Sequence, residues 1–274
     1  MEENKFSVLL PTYKGDKPES LQRSIISLLN QTLTPNEIVI VADGSLTPEL
    51  KTVLNRLEST YPELIMRTSL PNNQGLGAAL NHGVKVCSHE LIARLDSDDV
   101  ALENRFEQQI SYLAENPNID VLGGHVAEFS NSPDEIDTIR KVPISPEEVR
   151  SHARFRCPIN HPSVMFRRSA VLDAGNYGSF RSMQDYELWM RMLSQGYSIA
   201  NLPDILVKCE AGKGLFHRRG GINYAKLEIA LQYQFWKMGA ISLPIFIFNI
   251  GMRLPIRLAP NRFREIIYRK LFRF

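Results

Sequence analysis

Leu91-Ile92-Ala93-Arg94-Leu95-Asp96-Ser97-Asp98-Asp99 runs a short apolar segment into three carboxylates within four residues. The apolar run reads as a buried strand, and the carboxylates mark its carboxyl end. Ligands of open α/β sheets bind outside that end of the strands. Carboxylates this close repel one another unless a hard cation or a donor-rich ligand shares them. Oxygen-only donors favour Mg2+ or Mn2+, and Mg2+ commonly binds through one or two carboxylates plus substrate phosphates. A nucleotide diphosphate is the guest that suits such a site. The plain alternative is an acidic loop capping the helix that starts near Leu102, and the stretch alone leaves both open.

Working outward, Phe6–Leu10, Glu37–Val41 and Leu64–Arg67 also read as buried strands ending in turn or polar residues. Leu21, Ile25, Leu28 and Leu29 form one apolar helical face between them, and Leu76, Leu80, Val84 and Cys87 another. This alternation predicts a mostly parallel sheet with right-handed crossovers. Pro11-Thr12-Tyr13, Ala42-Asp43-Gly44 and Asp96–Asp99 then converge on one rim. Neither Gly-x-Gly-x-x-Gly nor a P-loop follows the first strand, which disfavours dinucleotide and P-loop binding. No nucleophile elbow or His-Glu-x-x-His is present either. Past Asp99 the spacing predicts a helix over Arg105–Ala114, a short strand over Asp120–Gly124 and a polar connection over Phe129–Pro146. A strand over Val164–Phe166 and a helix over Gln184–Leu193 follow. Asp185 lies in that helix's first turn, where the dipole favours an anion, as a base ionised at neutral pH requires. An ordinary first-turn Asp fits the position as well.

The chain has 274 residues and 43% hydrophobic content, enough for a large α/β core. Cys87, Cys157 and Cys209 are odd in number and widely spaced, which suits a reducing cytoplasm. The N-terminal Met1–Lys5 has no apolar signal core. From Arg253 onward seven basic residues face Glu265 alone, a net +6 against +2 for the whole chain, so the remainder stands at −4. The apolar stretch Ile241–Met252 falls short of the roughly 20 residues that span a bilayer.

Pro11-Thr12-Tyr13, Asp43-Gly44, the run Asn73-Gln74-Gly75-Leu76-Gly77-Ala78-Ala79-Leu80-Asn81, Asp96–Asp99 and Gln184-Asp185-Tyr186 occur in order. Together they resemble family 2 glycosyltransferases of the GT-A (Rossmann-like) fold over residues 6 to about 240. Tyr13–Asp16, Phe155–Arg167 and Arg218–Gly221 look like bacterial amylovoran- and O-antigen-type transferases.

The resemblance implies a mostly parallel central sheet flanked by helices. It further implies a nucleotide-binding half (1–100), an acceptor half (101–240) and a C-terminal amphipathic helical extension (241–274). Pro11, Thr12, Tyr13, Asp43, Asn73, Gly75, Asp96 and Ser97 would bind the donor nucleotide, with Asp43 accepting from uracil N3-H and Asp96 near the ribose. Asp98 and Asp99 would hold Mg2+ or Mn2+ against the diphosphate, and His217, Arg218 and Arg219 would contact it from a closing loop. Asp185 would deprotonate the acceptor hydroxyl and so invert the anomeric centre, with His161, Gln184 and Trp189 bordering the acceptor. The implied activity is transfer of one sugar from a UDP-sugar to a lipid-linked glycan, on polyprenyl diphosphate, in bacterial surface polysaccharide synthesis. The expected setting is the cytoplasmic membrane face, with no nucleic-acid partner.

The basic, aromatic tail suits adsorption to an anionic membrane surface; packing on the catalytic domain or in a homodimer is the competing reading. Two other functions share parts of this pattern. A sugar nucleotidyltransferase would need a Gly-rich basic loop after the first strand, where Pro11-Thr12-Tyr13 stands. An inactive membrane-binding GT-A-like module would have no need of Asp43, Asp98 and Asp185 together.

Overall fold

Strands β1 (Phe6–Thr12), β2 (Glu37–Asp43) and β4 (Leu91–Arg94) are buried almost throughout, as strands covered on both faces by helices must be. β3 (Ile65–Leu70) lies at the sheet edge and is partly open. The computed structural model describes residues 5–178, 180, 182–211 and 220–259. α1 (Pro18–Leu29), α2 (Pro48–Thr60) and α3 (Leu76–Val86) make the crossovers. Proline in the first turn opens α1 and α2, and the Thr47 hydroxyl caps α2 by accepting from Leu50 N-H.

The chain continues through β5 (Val100–Ala101), α4 (Arg105–Glu115), β6 (Val121–Phe129), β7 (Thr138–Arg140) and α5 (Pro146–Ala153). It ends with β8 (Met165–Arg167), α6 (Arg168–Asp173), α7 (Gln184–Ser194), β9 (Ile199–Glu210), α8 (Ile222–Lys237) and α9 (Leu243–Leu258). The sheet order is β3-β2-β1-β4-β8-β6-β9-β5, with β7 on β6. β1 pairs in parallel with both β2 and β4, whereas β8 runs antiparallel between β4 and β6. The chain therefore reverses its direction of travel across the sheet between β1 and β4, and the crevice outside those two strand ends is where such folds bind ligands. One core packs Leu21, Leu50, Leu54 and Phe106 on one face. The other packs Leu80, Val84, Trp189 and Phe235 on the opposite face.

The second half departs from its sequence pattern. The expected short strand at Asp120–Gly124 is the nine-residue β6, and the polar connection contains β7 and α5. A capping box opens α5, with the Ser145 hydroxyl accepting from Glu148 N-H and the Glu148 carboxylate from Ser145 N-H. β9 is legible only through its partner, since Pro203, Asp204 and Lys208 interrupt its apolar run while β6 holds it in parallel register. Of the extension expected over 241–274, Leu243–Leu258 forms α9, which packs on α8, and residues 260–274 lie outside the described residues. Asn249 donates to Gln232 Oε1 and to Arg154 O, both at 2.8 Å. Arg253 and Arg257 both pair with Glu228, which is fully buried. These two arginines were expected at a membrane surface; the structure turns them inward because Glu228 has no access to water and needs counter-charge.

Candidate active site

Asp43, at the end of β2, is buried and spends both carboxylate oxygens on the loop before α3. Gln74 N-H donates to Oδ1 at 2.7 Å and Gly75 N-H to Oδ2 at 2.8 Å. The Asn73 side-chain amide donates to the Asp43 carbonyl. Each oxygen keeps a second lone pair that can accept from a ligand. Gly75 sits at φ 93° and Gly44 at φ 83°, where a Cβ on Gly44 would lie 2.6 Å from Asn73 N. Only glycine accommodates both that backbone and that approach.

Across the crevice, Asp16 ties the loop after β1 to the acidic loop after β4. Its Oδ2 accepts from the hydroxyls of Thr12 (2.9 Å) and Ser97 (2.7 Å) and from Tyr13 N-H (3.0 Å). Pro11 and Thr12 are buried beneath this junction, and Tyr13 is exposed at its lip. Asp16 carried no assigned role from sequence; the signal was a carboxylate four residues past a strand-ending threonine.

Carboxylate oxygens of Asp96, Asp98 and Asp99 lie within 4.8 Å of one another. Loss of water on the crevice side, then the charges of Asp96 and Asp16, push the Asp98 carboxyl up to about 6, although its outer side is open to solvent. Burial, then Asp96 and Asp98, also raises Asp99 well above the carboxylate range. Asp99 Oδ1 accepts from Glu210 N-H at 3.0 Å, joining the site to the end of β9. Only oxygen donors meet here and they carry excess negative charge, which fits a hard divalent cation. Beneath them Arg94, fully buried in β4, pairs with Asp96. Burial works against its charge, but Asp96 and further negative neighbours outweigh that and hold the guanidinium above its ordinary value. Nε and Nη1 of Arg94 have no partner among the described residues. A lone cation inside an apolar strand was the sequence signal for this pairing.

Asp185 stands second in α7 and is half-buried. Met183, at φ 62°, makes the left-handed turn that starts the helix there. Gly77, in the first turn of α3, allows the α7 start to approach. A Cβ on it would fall 3.0 Å from Gly178 O and 3.6 Å from Gln184 Cβ. α3 together with Tyr177, Gly178 and Phe180 walls a cavity of about 590 Å³ whose lining also includes Gln74, Gly75, Asn81 and Lys85. Tyr177 is buried with its hydroxyl 3.0 Å from His161 Nε2, and Asp185, Asp96 and Arg94 are all close enough for their charges to act on it. The start of α7 thus lies beside the loop that Asp43 holds, and Asp185 and Asp96 both act on Tyr177.

The three residues expected beside the acceptor are all buried. Trp189 is fully buried, its ring packed against Phe166, Tyr177 and His161, because the apolar face of α7 turns into the core. Gln184 and His161 are also buried, and burial lowers the imidazole well below its ordinary range and keeps it neutral. His217, Arg218 and Arg219 lie outside the described residues.

The family described as Glycosyl transferase family 2 matches residues 7–174. The chain is 38% identical over 269 residues to a UDP-Gal:alpha-D-GlcNAc-diphosphoundecaprenol beta-1,3-galactosyltransferase of Escherichia coli, covering 98% of this chain and 97% of that one. It is equally 38% identical to the amylovoran biosynthesis glycosyltransferase AmsE of Erwinia amylovora, covering 97% and 98%. Among solved structures, the mannosyltransferase PcManGT of Pyrobaculum calidifontis, in complex with GDP-Man and Mn2+, superposes with a TM-score of 0.66. That likeness is one of fold, at 16% identity over 95% of this chain and 71% of that one. A family match across most of the sheet, together with relatives aligned from end to end, makes this chain a member of glycosyl transferase family 2 with the GT-A fold.

Proposed function

We propose that this glycosyltransferase moves one sugar from a UDP-linked donor to a lipid-linked glycan on polyprenyl diphosphate, with inversion, at the cytoplasmic membrane face. The observation that carries this reading is that the Asp43-held loop and the Asp96–Asp99 cluster lie at the strand ends on either side of the crevice between β1 and β4, with Asp185 near enough for its charge and that of Asp96 to act on the same Tyr177. The printed name of the Escherichia coli relative supplies the donor and acceptor classes.

Asp43 and the loop it clamps would receive the nucleobase, with the Pro11–Tyr13 segment as its wall. Asp98 and Asp99 would hold Mg2+ or Mn2+, the latter being the ion in PcManGT. Such a cation supplies Lewis-acid stabilisation of the leaving diphosphate. Asp185 takes the proton from the acceptor hydroxyl as that oxygen attacks the anomeric carbon. The bond to the diphosphate breaks on the opposite side and UDP departs. Asp185 is placed to act because it stands half-exposed in the first turn of α7, where an acceptor can reach it.

The test is incubation with UDP-sugars, UDP-galactose first, and a GlcNAc-diphosphate lipid, with and without chelator, followed by NMR of the product linkage. Metal-dependent transfer with an anomeric configuration opposite to the donor's is expected. Retention of configuration would remove Asp185 from the role of base.

A further inference from the structure

α9 is inverted relative to an ordinary surface helix, which turns its apolar stripe inward and its charges outward. Its outward positions include Leu243, Ile247, Phe248, Met252 and Leu258, with Ile247 61% and Phe248 and Met252 each 55% exposed. They recur at helical spacing and form one continuous face. Its only charged residues, Arg253 and Arg257, point the other way onto buried Glu228, and its buried polar residue, Asn249, bonds Gln232 and Arg154 O. Phe155, 42% exposed, extends the apolar face with its ring 6.1 Å from that of Phe248. A side chain of this size gains about 1.5–3 kcal/mol on leaving water, so a face of several marks a partner's position.

We infer that the outward face of α9 is the surface by which the enzyme lies on an anionic lipid bilayer. The inference rests on the proposed lipid-linked acceptor and names the surface that would bring the crevice to it. No described helix is long and apolar enough to cross a membrane, so α9 lies along the surface. Tyr233 and Trp236 of α8 sit half-exposed in mutual contact, the residue types that prefer the headgroup level. The sequence continuing past Ala259 carries Arg262, Arg264, Arg269, Lys270 and Arg273 against Glu265, which complements anionic headgroups.

The test uses full-length protein without sugar substrates, so its failure is separable from failure of the proposed activity. Wild type and the combined Ile247→Glu, Phe248→Glu, Met252→Glu variant are sedimented with phosphatidylglycerol vesicles and with phosphatidylcholine vesicles. Binding of UDP, read by thermal shift, checks the fold of both. Wild type is expected to pellet with phosphatidylglycerol and less with phosphatidylcholine. The variant should lose at least about tenfold in partitioning, equivalent to 1.4 kcal/mol, with UDP binding unchanged. Equal pelleting of the two proteins would overturn the assignment. So would a wild-type dimer that the variant converts to monomer without any vesicle binding. A chain ending at Ala259 that binds vesicles better than wild type would assign the face to the protein's own C-terminal segment instead.

Discussion

Buried charge occurs at the strand-end crevice and in the α8–α9 hairpin, and the two regions balance it oppositely. In the crevice, four carboxylates, Asp16, Asp96, Asp98 and Asp99, stand over two buried guanidiniums, Arg94, which pairs with Asp96, and Arg105 behind it, and the carboxyls of Asp16, Asp98 and Asp99 are pushed upward by desolvation and by neighbouring carboxylates. In the hairpin, Glu228 alone meets two guanidiniums, and Arg253 also lies over the Tyr186 ring. Unmatched charge at a strand end is a place held for a ligand, whereas matched charge between helices holds the architecture. Each region should therefore respond to loss of a carboxylate in its own way.

Asp98→Asn carries the largest expected effect, loss of measurable transfer without loss of Tm, because it removes a cation donor while relieving repulsion. Full wild-type turnover in excess chelator would show that the crevice's excess charge serves something other than a metal. Next, Asp185→Asn should lower kcat by roughly 10²–10⁴ with the donor KM nearly unchanged. A raised donor KM with kcat intact would instead move Asp185 to the donor side. Glu228→Gln should act in the opposite sense, destabilising the fold by about 3–5 kcal/mol, as expected when one member of a buried ion pair is removed, while the folded fraction keeps its donor affinity. Urea unfolding measures this, and wild-type stability paired with lost donor binding would erase the distinction between the regions.

The smallest effect is in pH dependence. The folded-state carboxyl of Asp98 is raised to about 6 from an ordinary 3.8. The folded protein thus binds this proton more tightly than the unfolded chain does. The resulting stabilisation is fully present below pH 3.8 and is lost as pH rises through about 6. In chelator, thermal unfolding of wild type from pH 4 to 7 should carry a component falling with pH that Asp98→Asn lacks. Identical profiles would show that Asp98 titrates normally.

Residues up to Asp99 declare their structure locally. β1, β2 and β4 are built on continuous apolar runs, each crossover helix has its own stripe, and the polar residues at strand ends fall on one rim because parallel strands all end on the same side. β6 to β9 do not, since β8 is three residues long and β9 is broken by Pro203 and Asp204. Their order and direction come from pairing between segments far apart in sequence. Within the site, Asp43, the Asp96–Asp99 run and Asp185 were legible from residue type and position. Asp16, Arg94 and Tyr177 were not assigned, because their roles are contacts to Ser97, Asp96 and His161 made across the fold.

The sequence by itself determined the α/β class, the rim of strand ends, the acidic cluster and Asp185 at a helix start, because each depends on spacing along one strand or one helix. Tertiary structure alone decided which face each remaining residue meets. It buried Trp189 and His161, which the resemblance had set beside an acceptor, engaged both oxygens of Asp43 with a loop, and turned Arg253 and Arg257 away from solvent. The physical reason is that a helix's periodicity shows which residues share a face, while the partners supplied by the rest of the chain decide where that face points. For α9 the deciding partner was Glu228, whose buried charge drew the arginines inward and left the apolar side exposed.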